Sequence, residues 1–154
     1  DADVDGDTLS VDSVTQPANG TVVNNSTDVT YTPNADTCGA DSFTYVVTDG
    51  VLTDTATVDV TIICVNDPPV AADDSVTTAE DTPATIDVLA NDSDVDGDAL
   101  SIDSVAQGAH GNVANNGTDV TYTPNLGYTG SDSFVYVVTD GVLTDTGTVT
   151  ANVR

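Results

Sequence analysis

The chain repeats itself without a gap at an offset of 91 residues, the spacing between Asp3 and Asp94. DVDGDTLSVDSV at Asp3 matches DVDGDALSIDSV at Asp94, and VVTDGVLTDT occurs identically in both copies. A repeat of this length indicates that the same fold occurs twice along the chain. Nothing in the first copy matches Asp67–Asn91, so the opening part of the unit is present only in the second copy.

Apolar residues alternate with Thr, Ser and Asp at period two in both copies, for example at Phe43, Tyr45 and Val47. This pattern is typical of half-buried strands, and Asp-Gly, Asn-Asn and Pro-Asn signals separate the strands. We predict an all-β Greek-key β-sandwich in a tandem array, with short strands in both copies. The predicted strands cover residues 9–15, 20–24, 27–32, 41–48, 53–63, 73–79, 84–89, 100–106, 111–115, 118–123, 132–139 and 144–153.

The junction between the copies lies in CVNDPPVAADD, where two prolines prevent one strand from running through. We predict a boundary near Asn66, which gives a first unit over residues 1–65 that lacks its first two strands. The second unit, over residues 66–154, is then complete. The missing strands come from outside this sequence: either the sequence is a window of a longer array, or a strand from another chain completes the unit.

The charge of the chain is one-sided, with 26 acidic residues against one basic residue and a formal net charge of −25. This composition excludes nucleic-acid binding, which needs Lys or Arg to displace phosphate counterions. We also predict no membrane insertion, because no apolar run approaches the roughly 20 residues of a spanning helix. A charge of this size repels itself unless salt or bound cations offset it.

The densest acidic segment is DSDVDGDALSID, which begins at Asp92. It places Asp at positions 1, 3, 5, 7 and 12 and Gly at position 6, the spacing of an EF-hand-type calcium loop. An oxygen-only ligand set favours calcium over transition metals. The alternative is an Asp-Gly turn without an ion, because position 12 is predicted to lie within a strand. The candidate ligands are Asp92, Asp94, Asp96, Asp98 and Asp103, and in the first copy Asp1, Asp3, Asp5, Asp7 and Asp12.

Further acidic and amide side chains are predicted near domain ends and hairpin tips, where they could converge on the same ion. Taken singly, each of them is more simply explained as a turn or cap residue. These residues are Asn66, Asp67, Glu80, Asp81, Asp49 and Asp140.

The blocks NDPP, EDTP, VLANDSDVDGD and TYTPN together resemble the bacterial cadherin-like, Ig-like tandem repeats of large secreted or surface adhesins. The resemblance covers the whole chain. It implies a sandwich that binds calcium near the domain ends and extends an adhesive tip away from the cell, with neighbouring repeats as partners. A carbohydrate-binding module is the alternative function it implies. The implied calcium ligands are Asn66, Asp67, Glu80, Asp81, Asp92, Asp94, Asp96 and Asp98.

The two cysteines, Cys38 and Cys64, occur only in the first copy. A hairpin that turns after Thr48 and pairs it with Thr53 places the cysteines nearly opposite each other at its open end. A disulfide there fits an oxidising compartment, so we predict an extracellular or surface protein. Two unpaired thiols are the alternative.

Enzyme signatures are weak. DTG at Asp145 matches the aspartic-protease tripeptide but lies within strand alternation, and that chemistry needs two buried carboxylates side by side. The only histidine, His110, occurs in one copy alone, which gives little support to a Ser-His-Asp arrangement. We therefore predict that the chain is not an enzyme, and we consider Tyr128 the one aromatic residue suited to contact a glycan.

Overall fold

The computed structural model describes all residues from Asp1 to Arg154, and the chain forms two compact units, Asp1–Val65 and Asn66–Arg154. Every regular element is a β-strand, which confirms the all-β prediction. The structure has no helix with the length and apolar character needed to cross a membrane.

The strands follow the period-two segments of the sequence. Unit 1, residues 1–65, contains β1 (Ser10–Val14), β2 (Gly20–Asn24), β3 (Val29–Pro33), β4 (Gly39–Thr48) and β5 (Thr53–Ile62). Unit 2, residues 66–154, contains β6 (Asp74–Thr78), β7 (Ala84–Ile86), β8 (Ser101–Val105), β9 (Gly111–Asn115), β10 (Val120–Pro124), β11 (Gly130–Thr139) and β12 (Thr144–Val153).

Unit 2 is a sandwich of two sheets. One sheet has the order β6-β12-β11-β8 and the other has the order β7-β10-β9. All neighbours are antiparallel except β6, which runs parallel to β12. The opening segment of the repeat therefore supplies one edge strand to each sheet.

The core of unit 2 forms because the alternation sends every second side chain inward. In β11, Phe134, Tyr136 and Val138 are buried, and the residues between them are more exposed. Burial of such side chains stabilises a fold by roughly 1.5–3 kcal/mol each. The buried residues of this core are Ile86, Val88, Ile102, Val113, Val120, Tyr122, Phe134, Tyr136, Val138, Val149, Ala151 and Val153.

Unit 1 repeats the last five strands of this plan, in sheets of order β1-β4-β5 and β2-β3. Its core is less complete: Val22 and Phe43 are buried, but Tyr45 is partly exposed, whereas its counterpart Tyr136 has no exposed surface. The five strands of unit 1 leave part of the apolar interior uncovered.

A disulfide closes the open end of the β4–β5 hairpin. The pairing runs from Thr48–Thr53 to Gly39–Ile62, so that Cys38 and Cys64 lie just beyond its last pair. They form a disulfide with a Cα–Cα distance of 4.8 Å, as the hairpin register predicts. In the chain-entropy description, a disulfide that closes a loop of this length stabilises unit 1 by about 3 kcal/mol.

Candidate functional site

The acidic loop of unit 2 folds around the side chain of Asp94. Asp94 Oδ1 accepts hydrogen bonds from the backbone N–H groups of Asp96 (2.9 Å) and Asp98 (3.2 Å). Gly97 has a φ of +80°, a conformation that disfavours residues with a Cβ. The glycine and the Asp94 carboxylate together produce the sharp turn that the spacing predicts.

The turn gathers three carboxylates. Ligand oxygens of Asp94, Asp96 and Asp98 all lie within 4.8 Å of one another. Calcium binds oxygens at about 2.4 Å, so two ligands on opposite sides of one ion are about 4.8 Å apart. The geometry of this cluster therefore fits a single calcium ion.

A second feature of the cluster is that Asp94 Oδ2 is buried and has no hydrogen-bond partner. A buried polar atom without a partner carries a desolvation cost, and such atoms are rare in native folds. A cation bound at the cluster would satisfy this oxygen. The donor set and the unpartnered oxygen both fit the calcium that the sequence predicts.

The first residues of unit 2 connect to the same loop. The backbone N–H of Asp67 donates to Asp96 Oδ2 (2.8 Å), and Asn66 Nδ2 donates to Asp140 Oδ2 (2.8 Å). The backbone N–H of Leu143 also donates to Asp140 Oδ1. This hydrogen bond, followed by the one from Asn66, lowers the pKa of the Asp140 carboxyl. Asn66, Asp67 and Asp140 thus lie beside the acidic loop.

Two residues of the calcium-loop spacing lie outside the three-carboxylate cluster. Asp92 Oδ1 accepts from the hydroxyl of Tyr136 (2.9 Å) and from the N–H of Ala72 (2.8 Å). Asp103 is exposed in β8, and its backbone oxygen accepts from Asn115 Nδ2. Positions 3, 5 and 7 of the spacing converge, whereas positions 1 and 12 have other contacts.

Unit 1 contains the same turn. Asp3 Oδ1 accepts from the N–H groups of Asp5 (2.8 Å) and Asp7 (3.2 Å). Asp1 accepts from the hydroxyl of Tyr45 (2.8 Å), as Asp92 does from Tyr136, and Asp12 is exposed in β1. The close approach of three carboxylates is found in the second loop, so unit 2 holds the better-formed candidate site.

Glu80 and Asp81 lie in the turn between β6 and β7. The N–H of Glu80 donates to the backbone oxygen of Arg154 (2.9 Å), next to the end of β12. Asp81 Oδ1 accepts from the N–H of Gly127 (2.7 Å). Because Asp140 precedes the start of β12, these two acidic residues lie at the other end of that strand from the acidic loop.

Asp132 is a buried carboxylate, only 6% exposed, that the sequence patterns did not predict. It accepts hydrogen bonds from the Tyr122 hydroxyl (2.9 Å) and from the backbone N–H groups of Ala109, His110 and Ser133. Burial by itself would raise its pKa, but these donors together lower the pKa of the Asp132 carboxyl. The residue joins β10, β11 and the turn before β9, and has a structural role.

Two further carboxylates, those of Asp74 and Asp92, lie near the hydroxyl of Tyr136. Asp74 Oδ2 is buried without a hydrogen-bond partner, and burial followed by the nearby Asp92 charge raises the pKa of the Asp74 carboxyl. The Tyr136 phenol, buried and bonded to Asp92, also has a raised pKa. The Tyr136 hydroxyl also lies within hydrogen-bond distance of the backbone oxygens of Ala72 (3.0 Å) and Val88 (3.3 Å), so these contacts join β11 to the segments before β6 and after β7.

The lowered pKa of Asp132 predicts a pH-dependent stability contribution. Its stabilising effect is fully present above the unfolded-state pKa of about 3.9 and is lost as the pH falls through the lower folded-state value. We expect the destabilisation caused by Asp132→Asn, measured by urea unfolding of unit 2, to be full at pH 6 and to shrink toward pH 3. A difference that stays constant over this range would contradict the assignment.

Tyr128, the candidate for a glycan contact, is half-buried. Its ring stacks on that of His110 with centroids 4.2 Å apart, and its hydroxyl donates to the backbone oxygen of Ser131. Both side chains are thus engaged within unit 2, and we do not propose a sugar site here.

The family of the chain follows from its sequence. Residues 1–61 and 66–152 each match the profile of a family described as the bacterial Ig domain. The chain belongs to the bacterial Ig domain family. The resemblance to Ig-like and cadherin-like repeats is thereby confirmed, with one bacterial Ig domain match in each unit. A comparison with curated proteins finds no match.

Two solved cadherin structures support the sandwich fold of these bacterial Ig domains. Human protocadherin-24 EC1-2 is 16% identical, with a TM-score of 0.59 over 98% of this chain and 84% of that chain. Drosophila N-cadherin EC1-4 is 14% identical, with a TM-score of 0.58 over 96% of this chain and 41% of that chain. An endo-fucoidan hydrolase of glycoside hydrolase family 107 is 22% identical, with a TM-score of 0.42 over 97% of this chain, which spans only 24% of that chain.

Proposed function

We propose that the chain is a calcium-stabilised structural repeat of an extracellular or cell-surface protein and that it extends an adhesive or fibrous assembly. The observation that carries this proposal is the cluster of Asp94, Asp96 and Asp98, with oxygens within 4.8 Å and one buried oxygen without a partner. Asn66, Asp67 and Asp140 lie beside the cluster and are proposed as its outer ligands or supports.

Electrostatics support a bound cation. The chain has a net charge of −25 and one Lys or Arg residue, so that basic side chains cannot neutralise the acidic loops. Like charges within a few ångströms repel one another, and the repulsion increases where the site is partly shielded from water. A calcium ion between these carboxylates would offset the repulsion, because each carboxylate is attracted to the ion.

The proposed mechanism is physical and not catalytic. Calcium at the Asp94 loop fixes the loop and, through the bond from Asp67 to Asp96, the first residues of unit 2. A segment ordered in this way resists bending and proteolysis, as an extender requires. Glu80 and Asp81, near the end of β12, are proposed as ligands of a separate calcium site toward a following repeat.

The proposed location rests on two findings. The Cys38–Cys64 disulfide is of the kind that persists in oxidising environments, and the family is that of a bacterial Ig domain. We propose neighbouring repeats of the same protein as the main partners. No catalytic arrangement is proposed for this chain.

Amide hydrogen exchange of the full chain tests the role of the loop. We expect calcium to slow exchange of the Asp67, Asp96 and Asp98 amides at least tenfold, because opening the loop would release the ion. Magnesium should have a smaller effect, since it requires stricter octahedral geometry. The effect should vanish in Asp94→Asn and persist in Asp103→Asn, which carries the same charge change. Equal exchange with and without calcium would contradict the proposal.

A further inference from the structure

The disulfide of unit 1 encloses one complete element, the β4–β5 hairpin. Strand β4 begins at the residue after Cys38, and β5 ends two residues before Cys64. Ten backbone pairs join the two strands, from Gly39–Ile62 to Thr48–Thr53. The bridge therefore links the place where the chain enters the hairpin directly to the place where it leaves.

The bridge is also a short path for tension along the chain. The cysteines are 26 residues apart in sequence, and a segment of this length spans roughly 86–94 Å when it is fully extended. Their Cα atoms are only 4.8 Å apart. Tension that reaches Cys38 therefore passes through the S–S bond to Cys64 and leaves by Val65. The residues between the cysteines carry no load, whether or not their strand pairs remain.

The matching hairpin of unit 2 lies within the path of tension. Strands β11 and β12 repeat the ten-pair register, from Gly130–Val153 to Thr139–Thr144. Thr129 stands at the position of Cys38, and both cysteines of the chain belong to unit 1. Tension applied across unit 2 must pass along both of these strands. The two units thus share a hairpin that is loaded in unit 2 and bypassed in unit 1.

Both cysteines are exposed, so a small thiol reductant has access to the bridge. A thiolate of a dithiol attacks one sulfur atom and forms a mixed disulfide, and its second thiol then displaces the other sulfur of the dithiol adduct from the protein. Cys38 and Cys64 together gain two electrons and two protons, and the dithiol becomes a disulfide. After this exchange the enclosed hairpin becomes part of the path of tension.

We propose that the Cys38–Cys64 bridge limits the extension of unit 1 under tension and that a dithiol reductant releases the withheld length. In the oxidised state residues 39–63 stay out of the loaded path, and reduction adds roughly 80–90 Å to the stretched chain. Only a load-bearing chain would use such a bridge, so this inference rests on the proposed role as an extender. It does not depend on calcium, because the bridge is covalent.

Single-molecule force measurements on the full chain, held by its two ends, test this proposal. At a constant force that unfolds both units, dithiothreitol should lengthen the oxidised chain in one step of roughly 80–90 Å in contour length. The step begins from an already stretched chain, so it does not depend on how the reduced protein folds. Absence of the step, or the same step in the Cys38→Ala, Cys64→Ala variant, would overturn the proposal.

Unit 2 and calcium supply the controls. The length gained when unit 2 unfolds should be the same in the oxidised chain, the reduced chain and the double variant, because unit 2 has no cysteine. The step with dithiothreitol should be equal in calcium and in chelator. A chain that gives this step without any response to calcium would contradict the calcium site alone. A normal calcium response without the step would overturn the role of the bridge alone.

Discussion

Calcium should raise the thermal midpoint of unit 2 by roughly 10–20 °C when it is present at a hundredfold excess over its dissociation constant. Ligand binding of this strength adds about 2.7 kcal/mol to stability, and each kcal/mol shifts the midpoint of a small domain by roughly 4–8 °C. The measurement compares calcium with chelator at constant ionic strength, so that general screening is equal in both. The double variant Asp94→Asn, Asp96→Asn should lose the calcium response.

In chelator, the same double variant should be at least as stable to heat as the parent chain. Without an ion the two substitutions remove repulsion among the three carboxylates, so the midpoint should stay unchanged or rise. Asp103→Asn, exposed and outside the cluster, should keep the full calcium response. A double variant that is destabilised equally with and without calcium would mean that the loop aspartates act only through their hydrogen bonds.

Replacing Asp132 by Ala should destabilise unit 2 by roughly 3–5 kcal/mol, because it leaves the Tyr122 hydroxyl and several backbone N–H groups buried without an acceptor. Urea unfolding of the full chain measures this loss as a shift of the unit 2 transition. The carboxylate is 6% exposed and accepts four hydrogen bonds, so water cannot easily replace it.

Unit 1 offers a matched control at Asp41. This residue accepts the equivalent bonds from Tyr31, Ala18, Asn19 and Ser42 but is more exposed. Asp41→Ala should therefore cause a smaller shift than Asp132→Ala, since water can reach the groups left behind. A loss below about 1 kcal/mol for Asp132→Ala would contradict the structural role of this carboxylate.

Much of the fold could be predicted from short-range patterns in the sequence. The alternation of Phe43, Tyr45 and Val47 predicted strand β4, and the Asp49-Gly50 turn determined the register that brings Cys38 and Cys64 together. These features depend on neighbouring residues or on a single hairpin. The period of a strand and the geometry of a two-strand turn can be derived without knowing the rest of the structure.

The contacts of individual aspartates could not be derived in this way. Asp132 and Asp92 occur in segments as acidic as the surrounding loops, yet their carboxylates accept from Tyr122 and Tyr136 in the core. Only the packing of distant strands decides which carboxylates meet a buried hydroxyl. Within the calcium-loop spacing, Asp94, Asp96 and Asp98 converge because a local turn controls them.

A calcium titration of the full chain by calorimetry, at fixed ionic strength, tests the central claim most directly. We expect saturable binding that loses at least one site in Asp94→Asn, Asp96→Asn and is unchanged in Asp103→Asn. Binding with the same stoichiometry and affinity in all three proteins, or no heat of binding in the parent chain, would contradict a calcium site at the Asp94 loop.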